Sequence, residues 1–148
     1  MEPAPEARDI AARLRLSSTR LARRLRQEAD SGYTPSLISA LATVHRHGPL
    51  TLGALAGHER VAPPSITKIV TKLEGEGLVV RSPDPTDGRV THIAVTPAGQ
   101  ALMDQTRRRK TSWLAGRIAQ LPAEDREHLA AALDALDHLI SAEDGGAP

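Results

Sequence analysis

Residues 78–81 and 90–95 read as two short β-strands joined by a polar, turn-rich connection, Ser82-Pro83-Asp84-Pro85-Thr86-Asp87-Gly88-Arg89. Within the second, Thr91-His92-Ile93-Ala94-Val95 partly alternates apolar and polar side chains. A two-stranded ribbon is at best marginal on its own in water. It must therefore bury one face on neighbouring helices, which makes the middle of the chain its globular unit. With 148 residues, the chain fits one ordinary domain or one protomer of an interlocked oligomer.

The helices around that ribbon are marked by caps and prolines. A first helix is expected over about residues 8–28, where Ile10, Leu14, Leu21 and Leu25 make a narrow stripe suited to packing against a few helices, including those of a second chain. Ser31-Gly32 interrupts it. Thr34-Pro35 opens a second helix by cap and proline, with Leu37, Leu41 and Val44 on its buried face and Gly48-Pro49 as its stop. A short third helix is capped by Thr51, with Leu50 placed to staple against Leu55, and with Leu52, Leu55 and Ala56 facing inward. The fourth begins at Pro63-Pro64 and runs to about Glu76, where Gly77 supplies a left-handed terminus and Leu78 tucks back. Thr96-Pro97 opens a fifth helix; Pro122 opens a sixth, whose stripe is Leu129, Leu133, Leu136 and Ile140. Residues 143–148 read as a disordered tail. The order α-α-α-α-β-β-α-α predicts a mainly α chain with a small two- or three-stranded antiparallel β wing: a winged helix-turn-helix over 31–96, with 1–30 and 97–142 as a helical dimerisation region.

Composition removes whole classes of function. The chain has no Cys, which excludes disulfides, thiolate zinc sites and thiol redox sensing. No apolar run reaches the roughly 18 residues a membrane span needs, and the first residues lack a signal pattern, so a cytoplasmic location is expected. With one Trp, one Tyr and no Phe, the chain lacks the aromatic platforms on which single strands stack, which favours duplex as any nucleic-acid partner. Charge is uneven. Arg8, Arg13, Arg15, Arg20, Arg23, Arg24 and Arg26 face Asp9 alone, and Arg107-Arg108-Arg109-Lys110 forms a second basic run. The C-terminal stretch is acidic, from Glu124 to Asp144. These segments are either solvated helix faces or surfaces for different partners, basic ones attracting phosphate.

The fourth helix divides into two faces. Ile66, Ile69, Val70 and Leu73 fall at i, i+3, i+4, i+7 and must be buried, while Ser65, Lys68 and Lys72 lie opposite, joined by Thr67 and Thr71. No acidic residue stands between Pro63 and Leu73, whereas a face chosen for solubility mixes both signs. Short hydroxyl and Lys side chains suit phosphates and base edges in a major groove. Pro63 and Pro64, at the start of this helix, are counted with that surface. The preceding short helix and a tight turn centred on a buried Val61 complete a helix-turn-helix. Thr51, His58 and Arg60 flank it, within reach of an adjoining phosphate. The usual turn glycine is displaced to Gly57.

The hairpin tip carries the most specific pattern. Asp87-Gly88-Arg89-Val90-Thr91-His92-Ile93-Ala94-Val95-Thr96-Pro97-Ala98-Gly99 resembles the wing of the MarR family of bacterial transcriptional regulators, Asp-x-Arg-x-x-x-Leu-x-Leu-Thr-x-x-Gly, with aliphatic exchange at Ile93 and Val95. Asp87 is placed to orient Arg89 by a charge-assisted hydrogen bond, and Arg89 to project into a minor groove, where negative potential concentrates; the family's wing arginine carries the same implication. Arg81, at the wing base, is a candidate backbone contact.

The resemblance spans essentially the whole chain and implies a homodimer interlocked through its first, fifth and sixth helices. Independently, Leu102, Trp113, Leu114 and Ile118 would stay half exposed in a monomer. Two-fold symmetry would set two copies of the fourth helix in successive major grooves, about 10 bp apart, on a pseudo-palindromic operator. The resemblance further implies a repressor released by a small anionic or phenolic effector, bound between the dimerisation helices and the reading head. No cofactor or metal is expected: His45, His47, His58 and His92 have no carboxylate at a recognisable ligand spacing. Two rival readings fit less well. An enzyme would need a nucleophile–base pair, a metal cluster or a phosphate loop. A winged helix used only for protein contact would need neither the acid-free face nor the oriented Arg89.

Overall fold

The computed structural model describes residues 4–141; the tail expected over 143–148 lies outside them. In chain order the elements are α1 (Pro5–Glu28), α2 (Pro35–His47), β1 (Leu50–Thr51), α3 (Leu52–Glu59), α4 (Pro63–Gly75), β2 (Val79–Pro83), β3 (Thr91–Val95), α5 (Pro97–Ala119) and α6 (Ala123–Ser141). The fold is mostly helical with one small antiparallel sheet, as the sequence predicts. Two compact units divide between Lys110 and Thr111, within α5.

The helix starts follow their caps. Thr34 Oγ1 accepts from Leu37 N at 3.4 Å, Thr51 Oγ1 from Ala54 N at 3.1 Å, and Thr96 Oγ1 from Gly99 N at 3.1 Å. Each hydroxyl satisfies an amide that the first helical turn leaves without a partner. α1 starts three residues before the expected position, because Pro5 occupies its first turn. α4 ends as expected: Gly77 takes φ +72°, its N–H reaches Glu74 O at 2.9 Å, and Leu78 N closes onto Leu73 O at 2.9 Å.

The sheet has three strands in the order β1-β3-β2. In β2, Val79 to Pro83 pair with Val95 to Thr91 in antiparallel register. The third strand is β1, where Leu50 lies opposite Ile93 and Thr51 opposite His92. Leu50 therefore works as a strand residue packed on the core that contains Leu55. That core gathers Leu37, Leu41 and Val44 from α2, Leu55 from α3, Ile66, Val70 and Leu73 from α4, and Ile93 from β3. Fully burying each of these side chains contributes about 1.5–3 kcal/mol before conformational entropy is counted. Ile69 and Leu52 are partly buried against the same cluster.

One expectation fails. Val61 is 36 % exposed rather than buried at the centre of the turn. Its backbone closes the turn instead: Val61 N donates to Ala56 O at 3.1 Å while Arg60 adopts the left-handed conformation at φ 54°. The end of α3 is thus completed by main-chain bonds, with no need for a side-chain plug.

Candidate nucleic-acid interface

α4 presents its outer face to solvent in full. Pro63, Pro64, Ser65, Thr67, Lys68, Thr71 and Lys72 are all exposed, whereas Ile66, Val70 and Leu73 are buried beneath them. Ala62 caps the helix through its carbonyl alone, which accepts from Ser65 N at 2.9 Å and Ile66 N at 3.2 Å. Two prolines in the first turn reduce the number of amides in need of a cap. Thr67 returns its hydroxyl proton to Pro63 O at 3.0 Å, leaving oxygen lone pairs outward.

Several of these groups have partners within the fold. Arg81 donates to Thr71 Oγ1 at 3.1 Å and pairs with Glu74 Oε1 at 3.4 Å, with its side chain 29 % exposed. Arg81 therefore ties the wing base to α4, and only part of it faces outward. Lys72 Nζ stands 2.7 Å from Glu76 Oε1. That hydrogen bond, and the charge behind it, raise the Lys72 ammonium above its usual value and hold the Glu76 carboxyl below its own. The acid-free stretch ends at Leu73, and the two carboxylates just beyond it, Glu74 and Glu76, are occupied by Arg81 and Lys72.

The wing tip is built around two aspartates. Asp84 Oδ1 accepts from Thr86 N at 2.8 Å, Thr86 Oγ1 at 2.7 Å and Asp87 N at 3.0 Å, and its other oxygen lies 2.7 Å from His92 Nε2. The Thr86 hydroxyl, then His92 and the two amides, hold the Asp84 carboxyl well below the usual range. The loop is closed by Asp84 N to Val90 O at 2.8 Å and Val90 N to Asp87 O at 3.0 Å. On this base Asp87 Oδ1 accepts from both Arg89 N and Arg89 Nε at 3.1 Å. Arg89 is 92 % exposed, so the guanidinium is oriented yet open to a partner. These bonds from Arg89 lower the Asp87 carboxyl as well. Gly88 is exposed, and a Cβ added there would meet nothing within 4 Å; the tip is unobstructed.

Of the flanking residues, Thr51 spends its hydroxyl on the α3 cap. His58 stacks on His47, with ring centroids 4.3 Å apart and planes 20° from parallel. Arg60 is exposed on its left-handed backbone. Between them, Glu59 is clasped to α2 by Ser39 Oγ at 2.7 Å and Thr43 Oγ1 at 2.5 Å. Sequence reasoning missed Asp84, Glu59, Glu74, Glu76 and Tyr33. Two had a local signal: the Asp84-Pro85-Thr86 turn and the four-residue spacing of Lys72 and Glu76. No helix among the described residues is long and apolar enough to cross a membrane.

Residues 33–91 match the model of the MarR family. An HTH-type transcriptional regulator of Mycobacterium bovis is 39 % identical over 132 residues, covering 88 % of this chain and 92 % of the relative. A transcriptional regulator structure from Pseudomonas aeruginosa superposes with a TM-score of 0.80 at 31 % identity, covering 93 % of this chain and 98 % of the other. A variant of Staphylococcus aureus MepR bound to an oligodeoxyribonucleotide shares the fold, with a TM-score of 0.69 at 20 % identity over 88 % of this chain and 97 % of the other. The chain belongs to the MarR family of helix-turn-helix transcriptional regulators and is a DNA-binding protein.

Proposed function

We propose that the protein is a homodimeric repressor that grips a pseudo-palindromic operator with α4 in the major groove and Arg89 in the minor groove. The observation that carries this reading is the Asp87–Arg89 pair: a guanidinium held at two points, with the Arg89 amide bonded to the same carboxylate, and still 92 % exposed. An ion pair serving only the fold has no need of so open a cation. Pro63, Pro64, Ser65, Thr67, Lys68, Thr71 and Lys72 form the α4 surface, with Arg81, Gly88, Thr51, His58 and Arg60 around it. The DNA-bound MepR variant supports the choice of partner.

Dimerisation is supported by the outer helices. α1 and α6 bury none of their own residues, and Ile10, Leu21, Leu133 and Ile140 are 59, 40, 53 and 68 % exposed. Exposed apolar stripes of this kind are what a second chain covers. Release by a small anionic or phenolic effector is supported by a cavity of about 280 Å³ whose lining includes Arg26, Lys110, Asp30, Tyr33, Ile38 and Ala42: two cations and one carboxylate beside an apolar floor. A regulator that acts on the chromosome works in the cytoplasm.

The test is selection of bound fragments from the source genome, with sedimentation of the free protein. The expected result is a two-fold related sequence with half-sites about 10 bp apart and a dimer at micromolar concentration. Recovery of unrelated sequences, or a monomer, overturns the reading.

A further inference from the structure

We propose that Glu76, steadied by Tyr33, competes with DNA phosphate for Lys72 and so restrains affinity at the recognition helix. The inference rests on the reading that the outer face of α4 meets DNA.

Glu76 is engaged through both oxygens. Oε1 receives Lys72 Nζ at 2.7 Å, and Oε2 receives the Tyr33 hydroxyl at 3.4 Å. Tyr33 precedes α2 and is 43 residues away in sequence, so this second arm is a tertiary contact. Together the two arms hold a carboxylate beside an open depression lined by Thr67, Lys68, Thr71 and Lys72. A phosphate seated against the two lysines would therefore sit near that negative charge.

Lys68, one turn earlier, faces Lys72 rather than a carboxylate at the four-residue spacing. The two lysines are thus unequal: Lys68 is exposed to an incoming phosphate, whereas Lys72 must first exchange Glu76 for it. Lys72 holds the Glu76 carboxyl below its usual value, so the competitor stays charged at neutral pH. Removing it adds one cation to those that neutralise phosphate and removes one repulsion. Tyr33 also lines the cavity whose lining includes Arg26 and Lys110, so the relay reaches from that cavity to the outer face of α4.

The experiment is fluorescence-anisotropy titration of the full chain against a random duplex and against the selected operator, repeated across a salt series. Glu76→Gln is expected to bind both about two- to fivefold tighter at low salt, the range of an exposed ion pair. The slope of log K against log salt should steepen by about 0.9, one further phosphate neutralised. Tyr33→Phe should move affinity the same way by less, and Lys72→Ala placed on Glu76→Gln should abolish the gain. Weaker or unchanged binding by Glu76→Gln, while Lys72→Ala alone weakens binding, overturns the inference and leaves the α4 reading standing. If Lys72→Ala placed on Glu76→Gln changes neither affinity nor slope relative to Glu76→Gln, the α4 reading fails at Lys72 and the inference with it.

Discussion

Gly99 lies so close to Leu78 that a Cβ on Gly99 would overlap the Leu78 carbonyl oxygen and stand 2.8 Å from Val95 Cγ1. The same junction is tied by Thr96, which donates its hydroxyl to Gly77 O at 2.6 Å and its N–H to Leu78 O at 3.0 Å. The end of α4, the sheet and the start of α5 thus meet at one point, and the glycine that closes the wing pattern is required by contact. Its backbone has no positive φ to explain it. Gly99→Ala should lose stability by about 1–3 kcal/mol, the usual range for an overpacked site. Urea unfolding checks this; a midpoint equal to that of the parent chain would refute the close approach.

Arg89 and Asp87 give the opposite expectation, loss of binding without loss of fold. With 92 % of its side chain exposed, Arg89 supports little of the core, so Arg89→Ala should keep the melting temperature within about a degree or two. Specific DNA affinity should fall by about tenfold or more, as expected for loss of a groove-reading arginine. Asp87→Asn keeps Arg89 but loosens its orientation, and should fall between the two. A mobility-shift titration that finds Arg89→Ala equal to the parent chain removes Arg89 from the interface.

Which parts of this arrangement the sequence discloses follows from how local the chemistry is. Thr34, Thr51 and Thr96 bond amides three residues on, and Gly77 and the Asp87–Arg89 pair act within two to four residues, so residue type and spacing suffice to find them. The amphipathic split of α4 is legible for the same reason. β1 is only two residues long and has no periodicity to read; its existence depends on Ile93 and His92 across the sheet. Ser39 with Glu59 and Tyr33 with Glu76 join positions 20 and 43 residues apart. No local rule proposes such pairs. Arg81 shows the consequence: its position suggested a free DNA contact, whereas Thr71 and Glu74 hold it against α4.

The wing should resist mild acid through Asp84. Its carboxyl lies below the ordinary aspartate value of 3.8, first through the Thr86 hydroxyl and then through His92 and two backbone amides. A folded-state pKa below the unfolded one means stabilisation that is complete above the unfolded value and is lost as pH falls through the folded one. The amide resonances of Thr86 and Asp87, both donors to Asp84, should therefore hold steady down to pH 3.8 and shift only below it. Asp84→Asn should remove that transition. A midpoint at or above 3.8 in the parent chain contradicts the bonding described for the tip.

Lys68 supplies the cleanest salt measurement. It is exposed on the outer face of α4, where its charge is available to a phosphate. Lys68→Ala should weaken binding to operator and random duplex by similar factors, and flatten the slope of log K against log salt by about 0.9. A slope unchanged by the substitution would mean that Lys68 touches no phosphate in the complex.

Arg60 combines backbone strain with a candidate contact, and two substitutions separate them. It is the non-glycine residue at positive φ among those described, at 54°, where the turn would otherwise favour glycine. A left-handed L-residue costs roughly 1–2 kcal/mol, a strain that Arg60→Ala keeps and Arg60→Gly relieves, while glycine gives back about 0.5–1 kcal/mol through the entropy of the unfolded chain. Arg60→Gly should therefore be more stable than Arg60→Ala by up to about 1.5 kcal/mol in chemical unfolding. Both lack the guanidinium, so both should lose the same factor in DNA affinity if Arg60 meets a flanking phosphate. Equal stabilities would deny the strain, and affinities equal to that of the parent chain would deny the contact. Higher stability with lower affinity in Arg60→Gly would show a turn that keeps an unfavourable residue for the charge it carries to DNA.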